Sequence, residues 1–119
     1  MKVEQHQQQE RQIAEVTSDT PVLRNAQDGL DLMGNLYFQG FDGIILHQQN
    51  ISPDFFDLRT GMAGEILQKF SNYRMQLAII GEFSGYESKS LRDFIFESNK
   101  GRLVNFCGSV GEALQRFSQ

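Results

Sequence analysis

The sequence predicts an α/β domain in which helices cover a mixed, mostly parallel sheet. Three short apolar runs, at residues 43–47, 76–81 and 103–107, are rich in β-branched residues and are typical of buried strands. An amphipathic helical pattern follows each run, and this alternation favours parallel pairing through right-handed crossovers. With two strands and a helix before the first run, the predicted order is β-β-α-β-α-β-α-β-α.

The two N-terminal strands are predicted at residues 2–6 and 12–17, with a hairpin loop over residues 7–10. This segment is polar and contains consecutive glutamines. Polar segments bury too little apolar surface to offset the entropy lost on ordering. We therefore expect residues 1–11 to be loosely ordered within a single domain that spans residues 1–119.

The first helix is predicted to begin after Asn25, whose side chain can cap the backbone N–H of Asp28. Gly40 marks its C-terminal end, since glycine readily adopts the left-handed conformation that terminates helices. The side chains predicted to form its buried face are Leu30, Met33, Leu36 and Tyr37.

The strongest helical pattern lies between residues 55 and 73, where apolar residues recur every three or four positions. A continuous helix from residue 53 to residue 73 would be about 31 Å long. Strands of average length reach only about 17–20 Å, so such a helix would overhang the sheet. We expect a separate short turn over residues 53–56, with Phe55 and Phe56 on the core. The main helix should then begin between residues 57 and 60.

Two further helices are predicted from their capping residues. Ser88 or Ser90 opens one, which ends at residues 99–101, and Ser109 with Glu112 forms a capping box for the last. The side chains predicted to form the sheet core are Ile44, Leu46, Leu77, Ile79, Val104 and Phe106.

Composition and charge exclude several classes of partner. The formal net charge is −4 and the basic residues are scattered, whereas nucleic-acid-binding domains carry a basic face. Cys107 is the single cysteine, which is typical of a reducing compartment. The N-terminus lacks an apolar stretch, and no apolar run approaches the roughly 20 residues that span a bilayer. We therefore expect a cytoplasmic protein without nucleic-acid or membrane partners.

Residues 55–70, with the sequence FFDLRTGMAGEILQKF, and residues 88–99 resemble a small bacterial family catalogued as a domain of unknown function. The resemblance extends from about Gln12 onward. It implies membership of a family without implying an activity.

The predicted element order also resembles the STAS fold of anti-sigma-factor antagonists. That family places a phosphorylatable serine, followed by glycine, at the start of the helix after the central strand, and Thr60-Gly61 falls near that place. The stretch from Asp57 to Gly61 differs from the family's Asp-Ser-Ser-Gly pattern by an extra residue and has a single hydroxyl. The resemblance implies a regulatory, protein-binding module that uses Asp57, Arg59, Thr60 and Gly61.

Thr60 has three interpretations: a helix cap, a phosphorylation site or an unmodified partner contact. In the first turn of a helix it would lie near unpaired N–H groups, which favour a phosphate or a partner's carboxylate. Arg59 would add a positive charge beside it.

The sequence shows no catalytic constellation, so we expect neither an enzyme nor a cofactor, and we expect no bound transition metal and no nucleotide hydrolysis. His6, His47 and Cys107 form no recognised metal-ligand spacing, and a phosphate-binding loop motif is missing. His47 and Cys107 are interpreted as structural residues of buried strands, and Asp54, Asp57 and Glu65 as solvated charges. The alternative function is a small-molecule binder or minor enzyme. It would use the crevice at the carboxyl ends of the parallel strands, formed by residues 47–54, 81–88 and 107–109.

Overall fold

The predicted order of strands and helices is confirmed in the computed structural model, which describes residues 1–118. The elements are β1 (Lys2–Gln8), β2 (Arg11–Thr17), α1 (Ala26–Phe38), β3 (Gly43–His47), α2 (Met62–Asn72), β4 (Gln76–Ile80), α3 (Lys89–Ser98), β5 (Val104–Cys107) and α4 (Val110–Phe117). Three 3₁₀ turns, Gln48–Asn50, Pro53–Phe56 and Leu58–Thr60, lie between β3 and α2 in the described part of the chain.

The sheet is mixed and mostly parallel, as predicted. Its strands lie in the order β1-β2-β3-β4-β5; β1 pairs antiparallel with β2, and all other neighbours are parallel. From β2 to β5, each crossover adds the next strand on the same side of the preceding one. Because these crossovers are right-handed, their helices all lie on one face of the sheet. Accordingly α1, α2 and α3 pack on one face of the sheet, and α4 packs alone on the other.

All six side chains predicted for the sheet core are buried on the three-helix face. Alternate positions of the same strands, such as Ile45 and Ala78, face α4 instead. Both faces of β3 and β4 are therefore apolar, which explains their apolar runs in the sequence, whereas β5 also buries the polar residue Asn105.

Helix α1 is capped as predicted but buries a different set of side chains. The side chain of Asn25 accepts a hydrogen bond from the backbone N–H of Asp28 at 2.8 Å. The prediction for Tyr37 is wrong, because its side chain lies at the end of the helix, 55% exposed, edge-to-face with Tyr73. Leu32 takes its place in the buried face, one turn before Leu36.

The turn predicted over residues 53–56 is confirmed, and Phe55 and Phe56 are buried in the core. The predicted start of the main helix is wrong, because α2 begins at Met62. Gly61 adopts a left-handed φ of +77°, which ends the 3₁₀ turn Leu58–Thr60 and prevents the two helices from joining. Thr60 therefore lies before α2 rather than in its first turn.

The capping residues predicted for α3 and α4 are confirmed. The side chain of Ser88 accepts a hydrogen bond from Leu91 N–H, and Ser109 accepts one from Glu112 N–H. The Glu112 carboxylate accepts from the backbone N–H of Gly108, one residue before the position that a capping box uses.

The N-terminal hairpin is longer than predicted, since β1 and β2 pair from Lys2 with Thr17 to Gln8 with Arg11. Its turn consists of Gln9 and Glu10, and Gln9 has a positive φ of 58°. The looser order expected for residues 1–11 stays a prediction. Among the described residues, no helix is long and apolar enough to cross a membrane.

Candidate functional site

The segment of residues 53–62 follows β3, so it lies at the carboxyl ends of the parallel strands. Asp57 accepts a hydrogen bond from the backbone N–H of Arg59 and caps the turn Leu58–Thr60. The Arg59 guanidinium donates two further bonds, each 3.0 Å long, to the same carboxylate. These bonds lower the pKa of Asp57. The Arg59 side chain is nevertheless 90% exposed, so one side of this ion pair faces solvent.

Thr60 is exposed, but its hydroxyl already has partners within the domain. The oxygen lies 2.7 Å from the carbonyl oxygen of Asp54 and 2.9 Å from that of Asp57. It also accepts a hydrogen bond of 3.2 Å from the backbone N–H of Met62. The hydroxyl thus connects both 3₁₀ turns to the beginning of α2, and it fixes the backbone on which Arg59 and Gly61 lie.

The conformation of Gly61 is tested by comparison with Gly64, three residues later. A Cβ at either position meets no atom within 4 Å, so only the backbone distinguishes them. Gly61→Ala is expected to lower the free energy of unfolding by about 1–2 kcal/mol, because alanine is strained at a positive φ. Gly64→Ala is expected to raise it by about 0.5–1 kcal/mol, because glycine is a poor residue inside a helix. Urea denaturation of both variants measures the difference, and equal effects would contradict the assigned backbone.

An open groove of about 610 Å³ separates this segment from the beginning of α3. One wall carries the Asp57–Arg59 ion pair, and the other carries hydroxyl groups. Beside it, the ring of Phe56 stacks on Tyr86 at a centroid distance of 5.4 Å. The lining residues are Phe56, Asp57, Leu58, Arg59, Ser88 and Ser90. The groove therefore combines an aromatic contact with a polar rim.

The crevice expected for the alternative function is partly occupied by a side chain of the protein. Gln48 donates a hydrogen bond of 2.7 Å to the hydroxyl of Tyr86 and accepts one of 3.0 Å from the backbone N–H of Glu82. It lies so close to Gly81 that a Cβ there would be 2.3 Å from the Gln48 amide oxygen. Gln48 therefore occupies part of the space between the ends of β3 and β4, and an open groove of about 350 Å³ remains there, lined by His47, Gln48, Gln49, Ile80 and Gly81.

The remaining residues considered as candidates lie apart from this groove. Cys107 is buried under α4, and burial raises the pKa of its thiol to about 11, so the thiol stays protonated near neutral pH. Asp54 and Glu65 both line a small separate groove with Thr60. Asp57 is bonded to Arg59, so it does not form a carboxylate pair with either of them.

A second cluster lies on the α4 side of the sheet and brings together the two histidines of the chain. His6 Nε2 is 2.9 Å from Glu15 Oε1, and His47 Nε2 is 2.8 Å from Glu15 Oε2. Glu4 Oε2 lies 3.8 Å from His6 Nε2. Only 12% of the Glu15 side chain is exposed, against about a fifth of each imidazole. Each carboxylate oxygen of Glu15 therefore has its own imidazole partner.

Glu15 is a carboxylate at neutral pH despite its partial burial. Desolvation raises its pKa, but hydrogen bonds from His6 and His47, together with their charge, outweigh this effect and lower the pKa overall. The Glu15 carboxylate and the two imidazole rings beside it can each bind a proton. Each of them can also act as a metal ligand.

The comparisons with known proteins identify a family. Residues 8–117 match the model of a family described as "Domain of unknown function (DUF4180)". The chain belongs to this DUF4180 family. No curated protein and no solved structure matches it. The matched range of the DUF4180 domain includes the 53–62 segment, Glu15 and His47, whereas Glu4 and His6 lie before it.

Sequence reasoning missed Glu4 and Glu15, and it left the two histidines of this DUF4180 domain unconnected. The spacing along the chain carries no metal motif, because the cluster arises from strand pairing. The pairs His6 with Ile13 and Glu4 with Glu15 place Glu4, His6 and Glu15 on one face of the hairpin. The signal that could have found them is the alternation in β1 and β2, read with the turn at Gln9 and Glu10.

Proposed function

We propose that this DUF4180 domain is a regulatory, protein-binding module of STAS-like architecture, whose partner contacts Asp57, Arg59, Thr60 and Gly61. The observation that supports the proposal is the combination of side-chain exposure and fixed backbone in this segment. Arg59 is 90% exposed, while the surrounding backbone is held by Asp57 and by the Thr60 hydroxyl.

A fixed backbone favours binding because association otherwise costs conformational entropy in each segment that becomes ordered. Arginine is also enriched among the residues that contribute most to protein interfaces. The Asp57–Arg59 pair orients the guanidinium, and the groove beside it is also lined by Leu58 and by the hydroxyl-bearing side chains of Ser88 and Ser90.

The STAS-like order of elements supports the same surface, since such proteins place their phosphorylatable serine at the start of the helix after the central strand, and Thr60-Gly61 directly precedes α2 here. The geometry of Thr60 favours an unmodified contact over a phosphorylation switch. A phosphate would remove the hydroxyl proton shared with the carbonyl groups of Asp54 and Asp57 and would add negative charge beside the Asp57 carboxylate. The side chain of Gln48 occupies part of the crevice that the alternative, a small-molecule site, would use.

The proposal is tested by affinity capture from the native host with wild-type protein and four variants. Thr60→Ala and Thr60→Glu change the hydroxyl, and Arg59→Glu reverses the exposed charge. Arg102→Glu is the matched control. Arg102 is exposed just before β5, at the amino ends of the parallel strands and so away from the 53–62 segment. We expect a partner that the wild type and Arg102→Glu capture equally, and that Arg59→Glu and Thr60→Glu lose. If all three variants at residues 59 and 60 retain every partner, the proposal is wrong.

A further inference from the structure

We propose that Glu4, His6 and Glu15 bind a divalent transition-metal ion of the Zn²⁺ class, and that His47 is a positioning residue for the Glu15 carboxylate. The inference is independent of the protein-binding surface, because the two sites occupy different parts of the molecule. Both histidines lie close to two carboxylates on one partly exposed region of the sheet.

The distances fit a small ion. Glu4, His6 and Glu15 each present a ligand atom, and these atoms lie within 4.8 Å of one another. Neighbouring ligand atoms around a tetrahedral Zn²⁺ are about 3.3 Å apart when each bond is about 2.0 Å long. His6 Nε2 lies 2.9 Å from Glu15 Oε1 and 3.8 Å from Glu4 Oε2, on either side of that separation. Both distances lie within about 0.5 Å of the tetrahedral separation.

The donor types select the class of ion. An imidazole nitrogen with carboxylate oxygens suits Zn²⁺ and its neighbours, whereas Mg²⁺ and Ca²⁺ prefer oxygen ligands alone. The carboxylates of Glu4 and Glu15 would balance both charges of the ion. His6 would bind through a neutral Nε2, so the proton that it now shares with Glu15 would leave that nitrogen.

His47 lies on the far side of the Glu15 carboxylate. It contacts Oε2 at 2.8 Å, which leaves Oε1 towards His6 and the ion. Partners of this kind orient ligand groups and commonly change metal affinity by 10- to 100-fold. His47 and Glu15 lie on the paired strands β3 and β2, so the sheet fixes their relative position.

The test is calorimetric titration of Zn²⁺ into the untagged full chain, with Co²⁺ absorption as a second readout of nitrogen and oxygen ligation. We expect one ion per chain, with a Kd below about 10 μM. His6→Gln should weaken binding by at least about 100-fold, and His47→Gln by about 10- to 100-fold. Glu10→Gln, in the turn of the same hairpin, is the matched control and should bind like wild type. Millimolar Mg²⁺ should not displace Zn²⁺.

Circular dichroism of each variant confirms that it is folded before titration, and Glu4→Gln provides a second ligand substitution at an exposed position. A wild-type protein that binds no Zn²⁺ up to about 1 mM overturns the proposal. Zn²⁺ binding that is unchanged in both His6→Gln and Glu4→Gln overturns it as well, since the ion would then lie elsewhere.

Discussion

Phe55→Ala is expected to lower the free energy of unfolding by about 3–5 kcal/mol, the range typical of a buried aromatic side chain replaced by alanine. Phe55 is 1% exposed and packs edge-to-face on Phe56 at a centroid distance of 5.1 Å. It anchors the turn Pro53–Phe56 to the core, so its loss should also loosen the adjoining segment that carries Arg59 and Thr60. Urea denaturation followed by circular dichroism measures the effect.

Phe38→Ala is the matched control for this substitution. Phe38 ends α1 and is 89% exposed, so its truncation should change the free energy of unfolding by less than about 0.5 kcal/mol. A cost below about 1 kcal/mol for Phe55→Ala, or equal costs for both variants, would contradict the burial of the 53–56 turn.

The second large effect concerns Gly43 and Phe117, which meet between β3 and α4. A Cβ placed on Gly43 would lie 2.5 Å from Phe117 Cε1 and 3.1 Å from Ile13 Cδ1. Gly43→Ala is therefore expected to cost about 1–3 kcal/mol through overpacking. Phe117→Ala is expected to cost about 3–5 kcal/mol, because Phe117 is buried against the sheet.

The double variant distinguishes packing from a general intolerance of alanine at residue 43. With Phe117 truncated, the new methyl group enters the cavity, so Gly43→Ala should be neutral or stabilising in that background. The two substitutions should then be coupled by about 1–3 kcal/mol in urea denaturation. If Gly43→Ala costs the same in both backgrounds, α4 does not pack over the beginning of β3.

The sheet could be predicted from the sequence because strands that are buried on both faces have apolar side chains at most positions. The runs that contain Ile44, Leu77 and Val104 are mostly apolar because each strand contacts helices on both sides. The caps at Ser88 and Ser109 could be predicted because they depend on residues only three positions apart.

The start of α2 and the exposure of Tyr37 could not be predicted by periodicity. The apolar spacing runs through Leu58 and Met62 without a break, although Gly61 turns the backbone between them. Tyr37 has the spacing of a buried residue, but it falls in the last turn of α1, where its ring meets Tyr73 in solvent. Periodicity reports which side a residue faces and does not report whether another element covers that side.

The cluster around Glu15 depends on pairing between strands, which spacing along the chain does not encode. Its contact with His6 follows from the hairpin register, and its contact with His47 follows from the parallel pairing of Glu15 with Ile45. In contrast, Asp57, Arg59 and Thr60 are close in sequence, so their proximity could be expected before their hydrogen bonds were known.

The most direct test of the protein-binding proposal is a calorimetric comparison of one captured partner with wild type, Arg59→Glu and Arg102→Glu. Reversing the charge at an exposed contact arginine removes its favourable pairing and introduces repulsion towards an acidic partner group. We expect Kd to rise by at least about tenfold for Arg59→Glu and to change by less than about twofold for Arg102→Glu. Equal affinities for wild type and Arg59→Glu would contradict a partner contact at residues 57–61.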